Sequence, residues 1–187
     1  MRKFGFLIFL CLWGCSASEP ISQPAPVANP PVANSPVAAT PPPDTKPAQA
    51  SNKDPRYKPE RIYQLADLTT EALNVNGNKI SLWKMDNDAK QEEGMMYLED
   101  KDVKPNEGMI FIFDKSDHHD FWMQNTKIPL DIIYVTEKGV VLNIAEGKAL
   151  STESLPSKGS CKYVIELKAG ISKKIGIKSG SHLKIAN

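Results

Sequence analysis

Phe121-Trp122-Met123-Gln124-Asn125-Thr126-Lys127-Ile128-Pro129-Leu130-Asp131 is the stretch on which the reading of this chain turns. Pro129 has no backbone donor, so it borders a strand and does not sit within one. The residues after it, Leu130 to Val135, are apolar apart from Asp131 and predict a strand. Phe121-Trp122-Met123 predicts a shorter one. Between the two lie Gln124, Asn125 and Thr126, set among Trp, Met and Ile. Polar groups in such company are costly to bury unless paired. The stretch therefore either braces the fold or walls a site.

The flanking sequence repeats the strand-and-turn pattern. Downstream, Glu137-Lys138-Gly139 turns the chain into a strand over Val140 to Ala145. Upstream, Met109-Ile110-Phe111-Ile112-Phe113 is the most apolar run and predicts a central strand. Asp114 to Asp120 reads as a polar loop. Asn76-Gly77 is the signal of a two-residue hairpin turn, with arms Leu73 to Val75 and Asn78 to Met85. Asp86 or Asn87 caps a short helix through Glu93, and Gly94 ends it. Residues 146–159 read as a long loop. Cys161, Tyr163, Ile165 and Leu167 alternate with Lys162, Val164 and Glu166, as in a half-buried strand with Glu166 on the solvated side. A short helix around Ile171 to Ile175, a turn at Lys178-Ser179-Gly180 and a last strand over His182 to Ile185 complete the pattern. Many short strands with Gly-rich turns predict a mainly β fold: one compact domain over residues 61–187, a barrel or sandwich with one or two short helices.

The first 60 residues are of another kind. Arg2 and Lys3 precede an apolar run, Phe4 to Trp13, too short for a stable membrane span. The run closes on Leu12-Trp13-Gly14-Cys15, which resembles a bacterial lipobox. The resemblance implies a signal peptide over residues 1–14, cleavage before Cys15 and lipidation of that cysteine. The chain would then be exported and lipid-anchored to a bacterial membrane, with its domain on the extracytoplasmic side. The alternative is an ordinary secretory signal cut near Ala17. Residues 15–60 carry 12 of the 15 prolines and predict an extended, disordered linker. Cys11 leaves with the signal and Cys15 carries lipid, so Cys161 has no disulfide partner.

Charge excludes some partners. The chain has 23 basic and 22 acidic side chains, a net charge of +1, so no field draws in nucleic acid. The only arginines are Arg2, Arg56 and Arg61, and only Arg61 is expected inside the domain. No phosphate-binding Gly loop or nucleophile elbow is present, and no cofactor is implied.

Several residues remain as candidates. Asp131 shares a strand face with Ile133 and Val135, where a buried carboxylate could serve as acid or base or could brace the backbone. Asn125 and Thr126 offer short donors and acceptors for a ligand or for a turn. Trp122, Met95, Met96 and Tyr97 could line a pocket or fill a core. Glu166 is expected in solvent; facing Asp131 across a cleft, it would complete an acid–base pair. His118-His119-Asp120 offers too few ligands for a closed metal site unless the fold adds His182. Cys161 lies on an apolar strand face without a local histidine signature.

Four segments together resemble the bacterial and archaeal domain of unknown function one hundred ninety-two. They are Gly94-Met95-Met96-Tyr97-Leu98, Gly108-Met109-Ile110-Phe111-Ile112-Phe113, the stretch from Phe121 to Asp131, and Glu166-Leu167-Lys168-Ala169-Gly170. The resemblance spans roughly residues 73 to 185 and implies a small β-rich fold and frequent export, with no established reaction. Two positions depart from it. The family's arginine after the Met segment falls at Leu98 or Glu99 here, and the acidic residue of its terminal turn is Ser181. The expectation is a membrane-tethered binding or accessory module of the cell envelope, with a small-molecule or envelope ligand near Trp122, Asn125, Thr126 and Asp131. The alternatives are an envelope hydrolase using Asp131 and a structural domain with no small-molecule site.

Overall fold

Two consecutive positive-φ residues, Asn76 (φ 49°) and Gly77 (φ 79°), close a hairpin between strand β1, Thr70–Val75, and strand β2, Asn78–Met85. The structure is a computed structural model that describes residues 54–185. The expected signal peptide, Cys15 and most of the expected linker lie outside the described residues. After β2, Asn87 accepts a hydrogen bond from the Lys90 amide and starts helix α1, Asp88–Glu93; Gly94 (φ 46°) stops it. Helix α1 and a 3-10 turn at Asp100–Asp102 form the crossover that lays strand β3, Glu107–Asp117, parallel to β2.

Strand β4, Asp120–Phe121, pairs with β7, Leu155–Pro156. Strands β5, Leu130–Val135, β6, Val141–Gly147, and β8, Cys161–Lys168, join β1, β2 and β3 in one six-stranded sheet. Its order is β1-β2-β3-β8-β5-β6, and only β2 and β3 run parallel. The mainly β, single-domain expectation holds, with α1 and the four-residue α2, Ile171–Lys174, as its two short helices. The sheet is open, not a closed barrel, because β1 and β6 are its edges.

Side-chain alternation sorts the core onto two faces. Met109, Phe111, Ile132, Tyr134 and Val164 belong to one apolar cluster, with Trp83, Met95, Leu98 and Met123. Ile110, Ile133, Val135, Tyr163, Ile165 and Leu167 belong to the other, with Leu73, Leu82 and Ile175. The four inner strands β2, β3, β8 and β5 are thus covered on both sides. Gly108 is required where β3 meets β8: a Cβ there would lie 2.5 Å from the Glu166 carbonyl oxygen.

Four local expectations are corrected. Residues 114–117 are strand and not loop, because after an irregularity Asp117 pairs with Cys161 while the intervening side chains stay solvated. Trp122 and Met123 are outside the short strand, which ends at Phe121. The loop 146–159 contains β7. His182 to Ile185 makes only a single bridge, His182 to Val140. In addition, Arg56 is part of the folded surface: its guanidinium lies 5.8 Å from the Trp83 ring centroid and 3.7 Å from Glu107. Lys58 Nζ sits 2.7 Å from the buried Asp102 carboxylate.

Candidate functional site

Arg61 comes from the segment before β1 and lies buried on the face occupied by Met109, Phe111 and Ile132. Its Nη1 donates to the carbonyls of Gly94 at 2.9 Å and Met96 at 2.6 Å, and its Nε donates to Tyr63 at 3.0 Å. Its Nη2 is 3.2 Å from Glu93 Oε2, close enough to pair electrostatically but not aligned as a hydrogen bond. Glu93 also accepts from the amides of Ile62 at 2.6 Å and Tyr63 at 3.0 Å. One arginine therefore fixes the turn after α1 through both its carbonyls.

Glu166 completes the cluster. The register opposes Ile132 to Glu166, so its side chain emerges on the Arg61 face. It is 5% exposed, which corrects the expectation that it faces solvent. Its Oε2 is buried without a hydrogen-bond partner among the described residues. Burial pushes its carboxyl up to about 8, and Arg61 offsets this only in part. Burial likewise lowers the Arg61 guanidinium, against the opposing pull of Glu93 and Glu166. A Cβ on Gly94 would come within 3.6 Å of Glu166 Oε2 and 3.2 Å of Phe111 Cζ, so a side chain there would crowd both groups.

The turn at residues 94–97 is linked by backbone hydrogen bonds to two further loops. The Tyr97 amide donates to the Asn125 carbonyl, the Leu150 amide to the Thr126 carbonyl, and the Met123 amide to the Ser151 carbonyl, each at 2.9 Å. Tyr97 (φ 65°), Asn125 (φ 56°) and Leu150 (φ 61°) hold left-handed conformations unfavourable to side chains. Asn76, in its hairpin turn, is the fourth such non-glycine residue among those described. Strain of this kind persists only where surrounding contacts enforce it, and it gathers at functional sites. Asn125 Nδ2 donates to the Tyr97 hydroxyl at 3.2 Å and lies 3.9 Å from Met96 Sδ. Trp122 and Leu150 are large apolar side chains left 49% and 60% exposed.

The structure thus brings Met96, Asn125, Thr126 and Trp122 into one loop cluster, and leaves Asp131 elsewhere. Thr126 is buried, its hydroxyl donating to the Gln124 carbonyl. Asp131 is opposed to Leu167, so it points to the other face of the sheet from Glu166. The register therefore rules out an Asp131–Glu166 pair. Asp131 Oδ1 accepts from the Gly170 amide at 3.0 Å and Oδ2 from the Ser172 amide at 2.9 Å. It braces the start of α2. Asp131→Ala is expected to cost about 2–3 kcal/mol, because two amides lose a charged acceptor. Chemical denaturation of the variant checks this; an unchanged midpoint would contradict the bracing role.

The remaining candidates sit apart. His119 stacks on Phe113, with ring centroids 3.5 Å apart, and its imidazole is lowered by burial. His182 lies by Val140 and Gly139. Cys161 is buried, and burial pushes its thiol up to about 11, so it stays protonated near neutral pH.

With the geometry in place, the chain can be set beside known proteins. A family model for DUF192, described as "Uncharacterized ACR", matches residues 71–185. The chain belongs to this family. A DUF192 domain here therefore carries both strand faces, Glu166 and the strained loops, while Arg61 lies upstream of the matched segment. Two solved structures are similar. One, from Novosphingobium aromaticivorans DSM 12444, is a protein of unknown function; it is 30% identical with a TM-score of 0.59, over 66% of this chain and 90% of the other. The second, from Sinorhizobium meliloti 1021, is described as a candidate transcription regulator; it is 26% identical with a TM-score of 0.58, over 63% of this chain and 94% of the other. No curated protein matches. The arginine expected after the Met-rich turn is absent, and Leu98 there is core. An arginine nonetheless reaches that turn, from position 61.

Proposed function

We propose that this DUF192 protein is an exported, lipid-anchored binding module of the cell envelope. Its ligand site would be the surface formed by residues 94–97, 122–126 and 148–151. The observation that carries this reading is that three left-handed residues, Tyr97, Asn125 and Leu150, lie in loops joined by backbone hydrogen bonds, and that the first of these loops begins at Gly94, against a buried carboxyl with an unpartnered oxygen. Rigid, strained loops over an unsatisfied polar floor suit a preorganised site better than a core. The ligand-contacting residues on this reading are Trp122, Asn125, Met96 and Glu166. Asp131 and Thr126 would support the fold behind them.

The anchor reading rests on Gly14-Cys15 at the end of the short apolar run. Cys15→Ser is expected to move the protein from the membrane pellet to the soluble exported fraction. Retention in the pellet would count against lipidation. The site reading is tested by a thermal-shift screen of neutral sugars, amino acids, polyamines and short-chain acids. At least one class should raise the melting temperature of the wild type and leave a Trp122→Ala, Asn125→Ala double variant unmoved. A screen with no such compound would remove the binding reading.

A hydrolase is the second reading, and its acid would be Glu166 and not Asp131. A carboxyl raised to about 8 holds a proton at neutral pH, as a general acid must. Its acidic neighbour Glu93 is engaged by two amides and Arg61 and is not free to act as the second carboxylate. Binding therefore has the better support.

A further inference from the structure

After Glu166 the sequence holds no acidic side chain, yet it holds Lys168, Lys173, Lys174, Lys178 and Lys184. The near-neutral total charge hides this asymmetry. The segment that follows β8 crosses the sheet as one layer. At one edge the Asn76 side chain, in the β1–β2 turn, donates to the Ile175 carbonyl at 2.9 Å. At the other edge the Gly180 amide donates to the Val141 carbonyl at 2.9 Å, and the Leu183 amide to the Gly139 carbonyl at 2.8 Å. Ile171, Ile175, Ile177, Leu183 and Ile185 pack inward on the face that holds Ile110, Ile133 and Ile165. Lys173, Lys174, Lys178 and Lys184 are exposed, and none forms an ion pair among the described residues. All four fall within residues 173–184. The layer thus turns its isoleucines to the core and its lysines to solvent.

Few carboxylates on this side offset them. Asp131 is buried and occupied by the Gly170 and Ser172 amides. Glu71, on edge strand β1, lies in the field of Lys84. Glu137 is followed by Lys138 in the β5–β6 turn. Glu146, opposed to Asp131 on edge strand β6, is the carboxylate left over. A positive excess remains along the layer. Lys168 does not belong to it, because its ammonium pairs with Asp100 and the crossover carbonyls of the other face. That other face holds the candidate ligand loops, since Met95 and Met123 belong to its core. It also receives the start of the domain, through Arg56 at the Trp83 ring and Arg61 at the Met96 carbonyl.

Resting on the exported, lipid-anchored reading above, we infer that this lysine layer docks on the anionic phospholipid surface to which the chain is anchored. Four lysines at an anionic bilayer make a weak contact, with a dissociation constant on the order of 1 mM lipid. The anchor makes a weak contact sufficient, because a tethered domain meets the bilayer at an effective concentration in the millimolar range. A soluble polyanion offers the same charge without that advantage. From Cys15 to Asp54 the chain reaches at most about 130 Å. A domain of this size is roughly 35 Å across. The tether therefore allows docking although it joins the domain on the opposite face. Docked in this way, the domain turns Trp122 and the loops 94–97 and 122–126 away from the bilayer, toward material in the envelope.

The test uses the full-length protein, expressed with its own signal and reconstituted on vesicles. One set is neutral phosphatidylcholine; the other adds phosphatidylglycerol. Amines are acetylated briefly and each lysine is read by mass spectrometry. On the anionic vesicles Lys173, Lys174, Lys178 and Lys184 should react at least about threefold more slowly than on the neutral ones, the proton enrichment that a surface potential near −30 mV gives by itself. Lys101 and Lys104, on the crossover of the other face, should keep their rates. Salt at about 1 M should erase the difference. Lys174→Glu with Lys178→Glu should erase it at Lys173 and Lys184; both positions are exposed, and an unchanged melting temperature shows that the fold is kept. No slowing, equal slowing of Lys101 and Lys104, or slowing that the double variant retains overturns the inference. So does slowing by dextran sulfate on neutral vesicles with none on anionic ones, which would make a soluble polyanion the partner. The anchor is read separately. If the protein does not float with neutral vesicles in about 1 M salt, the anchor reading falls. If it floats and the four lysines keep their rates on anionic vesicles, only the docking falls.

Discussion

Arg61→Ala is expected to lose about 3–5 kcal/mol of stability, the usual cost of removing one partner from a buried ion pair. For a domain of this size the melting temperature should fall by on the order of 10–20 °C. The cost comes from what is left behind. Glu93 would keep its two amide donors but lose its countercharge, and the carbonyls of Gly94, Met96 and Tyr63 would lose a shared donor. Arg61→Lys should recover only part of the loss. A single ammonium cannot span three carbonyls and a carboxylate that a planar guanidinium reaches from separate nitrogens. A second consequence separates this account from simple packing. Arg61 is the positive group that holds Glu166 down, so its removal should raise the Glu166 carboxyl further. Carbon-13 NMR of the glutamate carboxyls reads that titration directly. A melting temperature within a few degrees of wild type would refute the bracing role of Arg61.

That prediction also shows where the sequence was legible. Asn76-Gly77, the Asn87 cap with Gly94, and the strand Leu130–Val135 were all readable, because turn chemistry and apolar runs are local signals. The four-residue α2 was readable for the same reason. Pairing order was not, since β8 inserting between β3 and β5 depends on contacts far apart in the chain. Glu166 was misread because alternation with Tyr163, Ile165 and Leu167 implies a wet second face. In fact that face is covered by Met95, Leu98 and the segment containing Arg61. Its neighbours Val164, Ile165 and Leu167 were the available warning, an apolar density suited to a strand buried on both sides. Arg61 was placed in the domain as its lone arginine but assigned no partner, because nothing local links position 61 to positions 94 and 96. Asp131 was the reverse case. Its position among apolar residues marked it as buried, and its actual partners, the amides of Gly170 and Ser172, lie some forty residues downstream.

Glu166 should also dominate the pH dependence of stability. Its folded-state carboxyl is raised from the ordinary 4.5 to about 8. Between those values the unfolded chain has released a proton that the folded protein still holds. Stability is therefore fully present below the ordinary value and is lost as pH rises toward 8, by up to about 1.4 kcal/mol per pH unit from this group. Above about 8 both states are ionised there and the loss is complete. His119 acts in the opposite sense. Its imidazole is lowered by burial, so it withholds stability as pH falls below its ordinary 6.5. The two trends overlap on the acid side, which leaves pH 6.5 to 8 as the window in which Glu166 stands alone of the pair. Glu166→Gln cannot ionise and should flatten that limb. The measurement is urea denaturation at half-unit steps, reported as the difference between wild type and Glu166→Gln, which cancels groups common to both. The variant should gain on the wild type through the window, by roughly 1.5–2 kcal/mol in all, levelling off as pH nears 8. A constant difference across pH 6.5 to 8 would mean that Glu166 ionises normally, and that the buried cluster with Arg61 does not hold it protonated. A steadily rising difference would mean that this carboxyl is kept uncharged at a real cost in stability.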